Sequence, residues 1–123
     1  MVVAPGDDIK LSDASDDGSF VTLSGTSYAA AGVSGVIALM LEANPDLGYR
    51  DVQEILAMSA QQTDAGGTGW ADMGWQTNGA TNWNGGGMTF SHDYGFGNVD
   101  AYAAVRLAET WTCLLYTSDA ADE

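Results

Sequence analysis

A serine stands where a run of small residues leads into an apolar stretch. Residues 23–35 read LSGTSYAAAGVSG and continue as VIALML. Gly25 permits a tight turn just before Ser27, and the small residues after it predict a slim helix that can be buried on all sides. A helix beginning beside Ser27 brings free backbone N–H groups and the positive end of its dipole to the hydroxyl, where an oxyanion would form. The spacing therefore indicates a nucleophilic serine.

This segment resembles the catalytic-serine segment of the subtilases, the subtilisin-like serine peptidases. The family pattern Gly-Thr-Ser-x-Ala-x-Pro-x-Val-x-Gly fits residues 25–35 everywhere except at Ala31, where the family has proline. The resemblance implies that Ser27 attacks the carbonyl carbon of a peptide bond and that its own backbone N–H donates to the oxyanion. Because proline in the first turn of a helix pre-sets φ, Ala31 is expected to loosen the helix entry without removing the nucleophile.

Two later segments show helical periodicity and share the resemblance. After Pro45, apolar spacing of i, i+3, i+4 and i+7 predicts an amphipathic helix whose buried stripe consists of Val52, Ile55, Leu56 and Ser59. Asp100 is the predicted N-cap of a closing helix over Tyr102–Glu109, with an apolar stripe of Ala101, Val105 and Ala108. The sequences LEANP, RDVQ and SHDYGFGNVDA around these helices resemble the kexin-like branch of the subtilases.

The resemblance implies an α/β fold: the C-terminal part of a subtilisin-like domain, with a mostly parallel sheet flanked by helices. Residues 1–112 are predicted to form this partial catalytic domain. Within it, the glycine-rich stretch 61–90 is predicted to be a long ordered loop pinned by Trp70, Trp75 and Trp83. Residues 113–123, CLLYTSDAADE, match the translation of a transposase-type sequencing adapter and are predicted not to be native structure.

The resemblance places the other catalytic groups upstream of the serine. A subtilase orders its triad as aspartate, histidine and serine, and an asparagine completes its oxyanion hole. His92 is the single histidine of the chain, and it follows Ser27. We therefore expect His92 to be a structural hydrogen-bonding residue and not the general base. Since a serine without a base is a weak nucleophile, the chain alone is expected to be inactive.

Composition limits the partners. The chain has 17 acidic and 3 basic residues, a formal net charge of −14. Nucleic acids and anionic membranes are bound through Lys/Arg patches, so we expect neither as a partner, and the resemblance implies a polypeptide substrate. The apolar run Val33–Leu41 is too short to span a membrane. The family resemblance and the acidic composition together predict a secreted, extracellular protein.

No cofactor is evident from the residues themselves. Subtilases often bind structural calcium, and the loop containing Asp7, Asp8, Asp13, Asp16 and Asp17 offers carboxylates, but its spacing matches no EF-hand, and no ligands are assigned. Two alternatives to a peptidase stay open. One is an inactive subtilase-like remnant or pseudoprotease scaffold, which the departure at Ala31 favours. The other is a calcium-binding adhesive module built on the Gly/Asp-rich loops.

Overall fold

Three helices and four short strands make up the described part of the chain. The computed structural model describes residues 2–64, 74–77, 79 and 87–112. In chain order the elements are β1 (Ile9–Ser12), β2 (Phe20–Leu23), α1 (Thr26–Ala43), α2 (Tyr49–Ser59), β3 (Gln76–Thr77), β4 (Thr89–Phe90) and α3 (Ala101–Thr110). Strands β1 and β2 form an antiparallel hairpin in which Ile9 lies opposite Leu23, and β3 pairs antiparallel with β4. The presence of both helices and strands in the described residues agrees with the predicted α/β class.

The core lies between the helices. Met40 of α1, Ile55 of α2, and Ala104 and Ala108 of α3 have no exposed surface. Helix α3 contacts both α1 and α2, and its two buried alanines lie one helical turn apart on the same face. Small side chains on this face allow the larger Met40 and Ile55 to fill the space between the three helices. The packing of α3 therefore joins the serine-bearing helix to the helix that follows it.

Three distant segments meet at Asn98. Its N–H donates to the Gln61 carbonyl at 2.8 Å, and its carbonyl accepts from the Gln61 N–H at 2.9 Å. On the other side, Val3 pairs parallel with Asn98, through bonds from the Val3 N–H to the Gly97 carbonyl at 2.9 Å and from the Val99 N–H to the Val3 carbonyl at 2.8 Å. Within the described residues, the bridge between Val3 and Asn98 is parallel, whereas the pairs β1–β2 and β3–β4 are antiparallel.

Both predicted amphipathic helices form where periodicity placed them. In α2, Val52, Ile55 and Leu56 are buried as expected, and Ser59 is half-buried. The Asp100 side chain caps α3 by accepting the Ala103 N–H at 2.8 Å. The stripe predicted for α3 is wrong at one end, since Ala101 is exposed and the buried face runs through Ala104 and Ala108. Ala104 and Ala108 lie four residues apart on the face that packs into the core, whereas Ala101 is the exposed first residue of the helix.

Helix α1 is only partly covered by the described residues. Its small side chains leave it slim enough to be buried on all sides, but its buried residues within the described chain are Val36 and Met40. Leu39 is 56% exposed, because α3 covers one face of α1 only. By length and composition alone, α1 is also long and apolar enough to cross a membrane, with 18 residues and a mean hydropathy of 1.3. Core helices of soluble proteins and signal sequences meet the same criterion, so this finding does not overturn the expectation drawn from the run Val33–Leu41.

Candidate active site

Ser27 is the second residue of α1. Gly25 is the N-cap and Thr26 the first helical residue, so the exposed Ser27 side chain lies in the first turn. The first N–H groups of a helix have no partner within it; here the Tyr28 N–H turns back to the Gly25 carbonyl at 3.1 Å. The first turn of α1 itself carries no acidic side chain that would offset the positive end of the dipole. The predicted nucleophile therefore occupies the helix terminus that its chemistry requires.

Close backbone packing holds the turn that precedes Ser27. The Gly25 N–H donates to the Gly6 carbonyl at 2.7 Å. A Cβ atom on Gly6 would lie 2.8 Å from the Gly25 carbonyl oxygen and 3.1 Å from the Ala29 Cβ, too close for a side chain. Gly6 thus allows the segment before β1 to lie directly against the serine turn and the first turn of α1.

The side chain of Ser24 adds two further links at the same place. Its hydroxyl donates to the Asp7 carboxylate and accepts the Asp8 N–H at 3.0 Å. Asp8 has φ 52°, a left-handed conformation that aspartate tolerates better than most residues. Nothing in the sequence marked Asp7 and Ser24 as a pair. Knowledge of the hairpin register would have identified the pair, because residues 8 and 24 lie opposite each other one position beyond Ile9 and Leu23.

Ala31 lies deeper in the helix than predicted. Since α1 begins at Thr26, Ala31 is in the second turn and not the first, and its side chain is exposed. A residue at this depth donates its N–H to the carbonyl four residues earlier, which is that of Ser27. Proline has no N–H to donate. The prediction that alanine merely loosens the helix entry is therefore wrong, because position 31 lies one turn beyond the entry.

His92 lies in an aromatic cluster. Its exposed ring meets Phe90 edge to face with a centroid separation of 5.6 Å, and Phe90 meets Phe96 in the same way at 5.5 Å. An open cavity of about 250 Å³ is lined by Gln76, Thr77, Phe90 and Phe96. His92 thus packs against an aromatic ring, whereas the sequence predicts a hydrogen-bonding role.

The described part of the glycine-rich stretch is anchored by one tryptophan. Trp75 donates its indole N–H to the Thr63 carbonyl at 3.0 Å and stacks on Tyr94 with ring centroids 6.3 Å apart. The Tyr94 hydroxyl donates to the Asp64 carboxylate at 3.1 Å, and this hydrogen bond raises the pKa of the phenol. The anchoring predicted for Trp75 is therefore seen. Trp70, Trp83 and the segment 113–123 lie outside the described residues.

Asp13 and Asp16 make local hydrogen bonds in the acidic loop. Asp13 accepts the Ser15 N–H at 3.0 Å, which lowers the pKa of that carboxyl, and the Asp16 carbonyl accepts from the Ser19 N–H at 3.2 Å. Across the described ranges, no group of three or more His, Cys, Asp or Glu side chains is arranged to hold a metal ion. The acids between β1 and β2 thus act as turn residues in this structure.

Comparison with known proteins decides which family this geometry represents. The model of the subtilase family, peptidase S8, matches residues 1–97. The chain belongs to the subtilase family. Its members are serine endopeptidases, and the matched residues include the serine turn, α1 and α2. The predicted family and the predicted partial α/β fold are both confirmed.

Individual relatives agree with this assignment. A PC3-like endoprotease (variant B) of Hydra vulgaris is 45% identical over 87 residues, which is 71% of this chain and 11% of the relative. Kexin of Saccharomyces cerevisiae is 39% identical over 88 residues, 71% of this chain and 10% of the relative. The crystal structure of a serine protease of Aeromonas sobria superposes with a TM-score of 0.65 at 34% identity, over 79% of this chain and 18% of the other. The subtilase chain thus spans about a tenth of the length of these curated relatives.

Proposed function

We propose that the protein containing this chain is a serine endopeptidase and that Ser27 is its nucleophile. The observation that carries the proposal is the placement of Ser27 at the second position of α1, two residues after a glycine N-cap in an extended conformation. This arrangement exposes the hydroxyl and aligns the helix terminus with it. Membership of the subtilase family supplies the reaction class.

The reaction proposed is acyl transfer. The Ser27 Oγ bonds to the carbonyl carbon of the scissile peptide while its proton passes to a histidine supplied by the part of the domain outside this chain. The carbonyl π electrons move onto oxygen, and the Ser27 backbone N–H donates to the oxyanion so formed. Collapse of this intermediate breaks the C–N bond, and the histidine returns the proton to the departing amine. Water then hydrolyses the acyl-enzyme by the same sequence of steps.

The proposed substrate is a polypeptide, and the proposed place of action is outside the cytosol. The acidic composition, a net charge of −14, argues against binding to nucleic acid or to an anionic membrane surface. Export rests on the family resemblance together with this composition. The chain by itself is proposed to lack peptidase activity, because a serine needs a base within reach.

Covalent labelling tests the proposal most directly. The full-length protein, recovered from the source DNA by sequencing outward from this reading frame, is treated with a fluorophosphonate and assayed for peptide hydrolysis. The wild type should label at Ser27 and cleave peptides, whereas Ser27→Ala should do neither. Ser34→Ala is the matched control, because Ser34 is an exposed serine on the same helix whose hydroxyl donates to the Ala30 carbonyl at 2.9 Å.

The second candidate is a pseudoprotease scaffold. It is favoured by Ala31, which departs from the family proline four residues after the nucleophile. A folded wild-type protein that neither labels nor cleaves, with the upstream histidine or aspartate replaced, would establish this candidate and overturn the peptidase.

A further inference from the structure

We propose that Ser24 and Asp7 are positioning residues for Ser27, joining the β1–β2 hairpin to the turn that presents the nucleophile. This inference rests on the proposed function and adds to it the residues that fix the turn. Neither residue touches the reacting atoms in this account. They act through the backbone of Gly25, which immediately precedes the helix.

The β1–β2 hairpin ends immediately before Ser24. The last paired residues are Ile9 and Leu23, because the next residue outward, Asp8, takes φ 52° and leaves the extended conformation. Its N–H then finds its acceptor in the Ser24 hydroxyl at 3.0 Å. The Ser24 side-chain oxygen thus accepts a backbone N–H at the position where the strand pairing stops.

The Ser24 hydroxyl makes a second hydrogen bond. Ser24 uses its own proton to reach the Asp7 carboxylate, so it bonds to two consecutive residues of the facing segment. One residue further on each side, the Gly25 N–H donates to the Gly6 carbonyl at 2.7 Å. Three hydrogen bonds therefore tie residues 6–8 to residues 24 and 25.

These hydrogen bonds lie next to the start of the helix that carries the nucleophile. Gly25 is the N-cap of α1, and Ser27 follows it by two residues. Gly6 also packs on the first turn of α1, where an added Cβ would lie 3.1 Å from the Ala29 Cβ. The direction in which α1 leaves the turn, and hence the position of the Ser27 hydroxyl, is fixed by contacts on this segment. Loss of the Ser24 hydroxyl removes two of the three bonds.

Removal of that hydroxyl should therefore slow catalysis without removing a catalytic group. In the full-length protein, Ser24→Ala is expected to lower kcat and the rate constant of fluorophosphonate labelling by about 10- to 100-fold, since small misplacements of a reacting group have effects of this size. KM should change little. Ser24→Thr, which keeps a hydroxyl, should restore most of the rate, and Asp7→Asn, which keeps an acceptor oxygen, should do better than Asp7→Ala.

A second measurement tests the stability of the turn around Gly25 directly. Hydrogen exchange of the Gly25 amide should speed up in Ser24→Ala and stay at the wild-type rate in Ser24→Thr. Ser34→Ala, which removes an exposed hydroxyl elsewhere on α1, should leave labelling, kcat and Gly25 exchange unchanged. Unchanged labelling or unchanged Gly25 exchange in Ser24→Ala overturns the positioning role. Failure of the proposed function is a separate result, because the wild type then does not label at all, and the positioning role in catalysis falls with it.

Discussion

Trp111 donates its indole N–H to the carboxylate of Asp51, at 2.9 Å, across 60 residues of chain. The other carboxylate oxygen accepts the Gly48 N–H at 2.8 Å, and only 1% of Asp51 is exposed. One buried side chain therefore caps the beginning of α2 and fastens the end of α3 to it. Asn44, which follows α1, adds a third helix to this junction by donating to the Ala108 carbonyl at 3.0 Å.

Replacement of Asp51 should destabilise this junction more than its size suggests. Asp51→Ala leaves the indole N–H and the Gly48 N–H, both of them on half-buried residues, without this acceptor, and such a loss costs about 1–3 kcal/mol. Urea unfolding of the full-length protein should show a free energy of unfolding that is at least about 1–3 kcal/mol lower in Asp51→Ala than in the wild type. Trp111→Phe should have a smaller effect, and Asp46→Ala, at an exposed aspartate nearby, should have almost none. Equal effects at Asp51 and Asp46 would show that the junction contributes little.

Gly97 should tolerate no side chain. Its φ of 129° lies in a region that L-residues rarely adopt, and a Cβ there would lie 2.2 Å from the Gln61 carbonyl oxygen. Gly97→Ala is therefore expected to lower the free energy of unfolding by about 1–3 kcal/mol from backbone strain alone, and further through the clash. Circular dichroism during urea titration measures the loss. Gly79→Ala is the control, because an added Cβ there has open space around it.

The sequence indicated the helices and the serine turn well, because each has a local cause. Periodic apolar residues define α2, a side-chain cap starts α3, and a glycine precedes Ser27 at the beginning of α1. These signals lie within a few residues of the element that they specify. The place of Ser27 at the beginning of α1 was predictable for the same reason, and its role as nucleophile stays a prediction.

Contacts between distant segments were not predictable from the sequence. The pairing of Asn98 with both Val3 and Gln61 depends on how the helices bring three segments together. The link between Asp7 and Ser24 depends on the hairpin register and on the positive φ of Asp8. Periodicity does not contain this information, and it also placed the exposed Ala101 instead of Ala104 in the buried stripe of α3, because packing against α1 and α2 decides which residues of α3 are covered.

Tyr94 should titrate above the usual range of a tyrosine. Its hydrogen bond to the Asp64 carboxylate favours the neutral phenol, so the pKa in the folded protein is raised from its ordinary value of 10.0. A raised folded pKa means that the contribution to stability is present below about pH 10 and is lost as pH rises through the folded value. Carbon-13 NMR of the tyrosine Cζ atoms, assigned with Tyr94→Phe, should show this late titration. In Asp64→Asn the Tyr94 pKa should move back toward 10.0, and an unmoved value would contradict the stated cause.

Neighbouring residues of α1 should respond in opposite ways when the chain of residues 1–112 is expressed alone. Met40 has no exposed surface, whereas Leu39 is 56% exposed. Because most faces of α1 lack cover among the described residues, the isolated chain is expected to be poorly soluble and to melt over a broad range rather than in a sharp transition. Met40→Ala should reduce the helical circular dichroism signal, since loss of a buried methionine costs about 2–5 kcal/mol. Leu39→Gln should preserve that signal and increase solubility, because it removes exposed apolar surface. A sharp, cooperative transition of a soluble wild-type monomer would show instead that the core between the three helices is sufficient for folding.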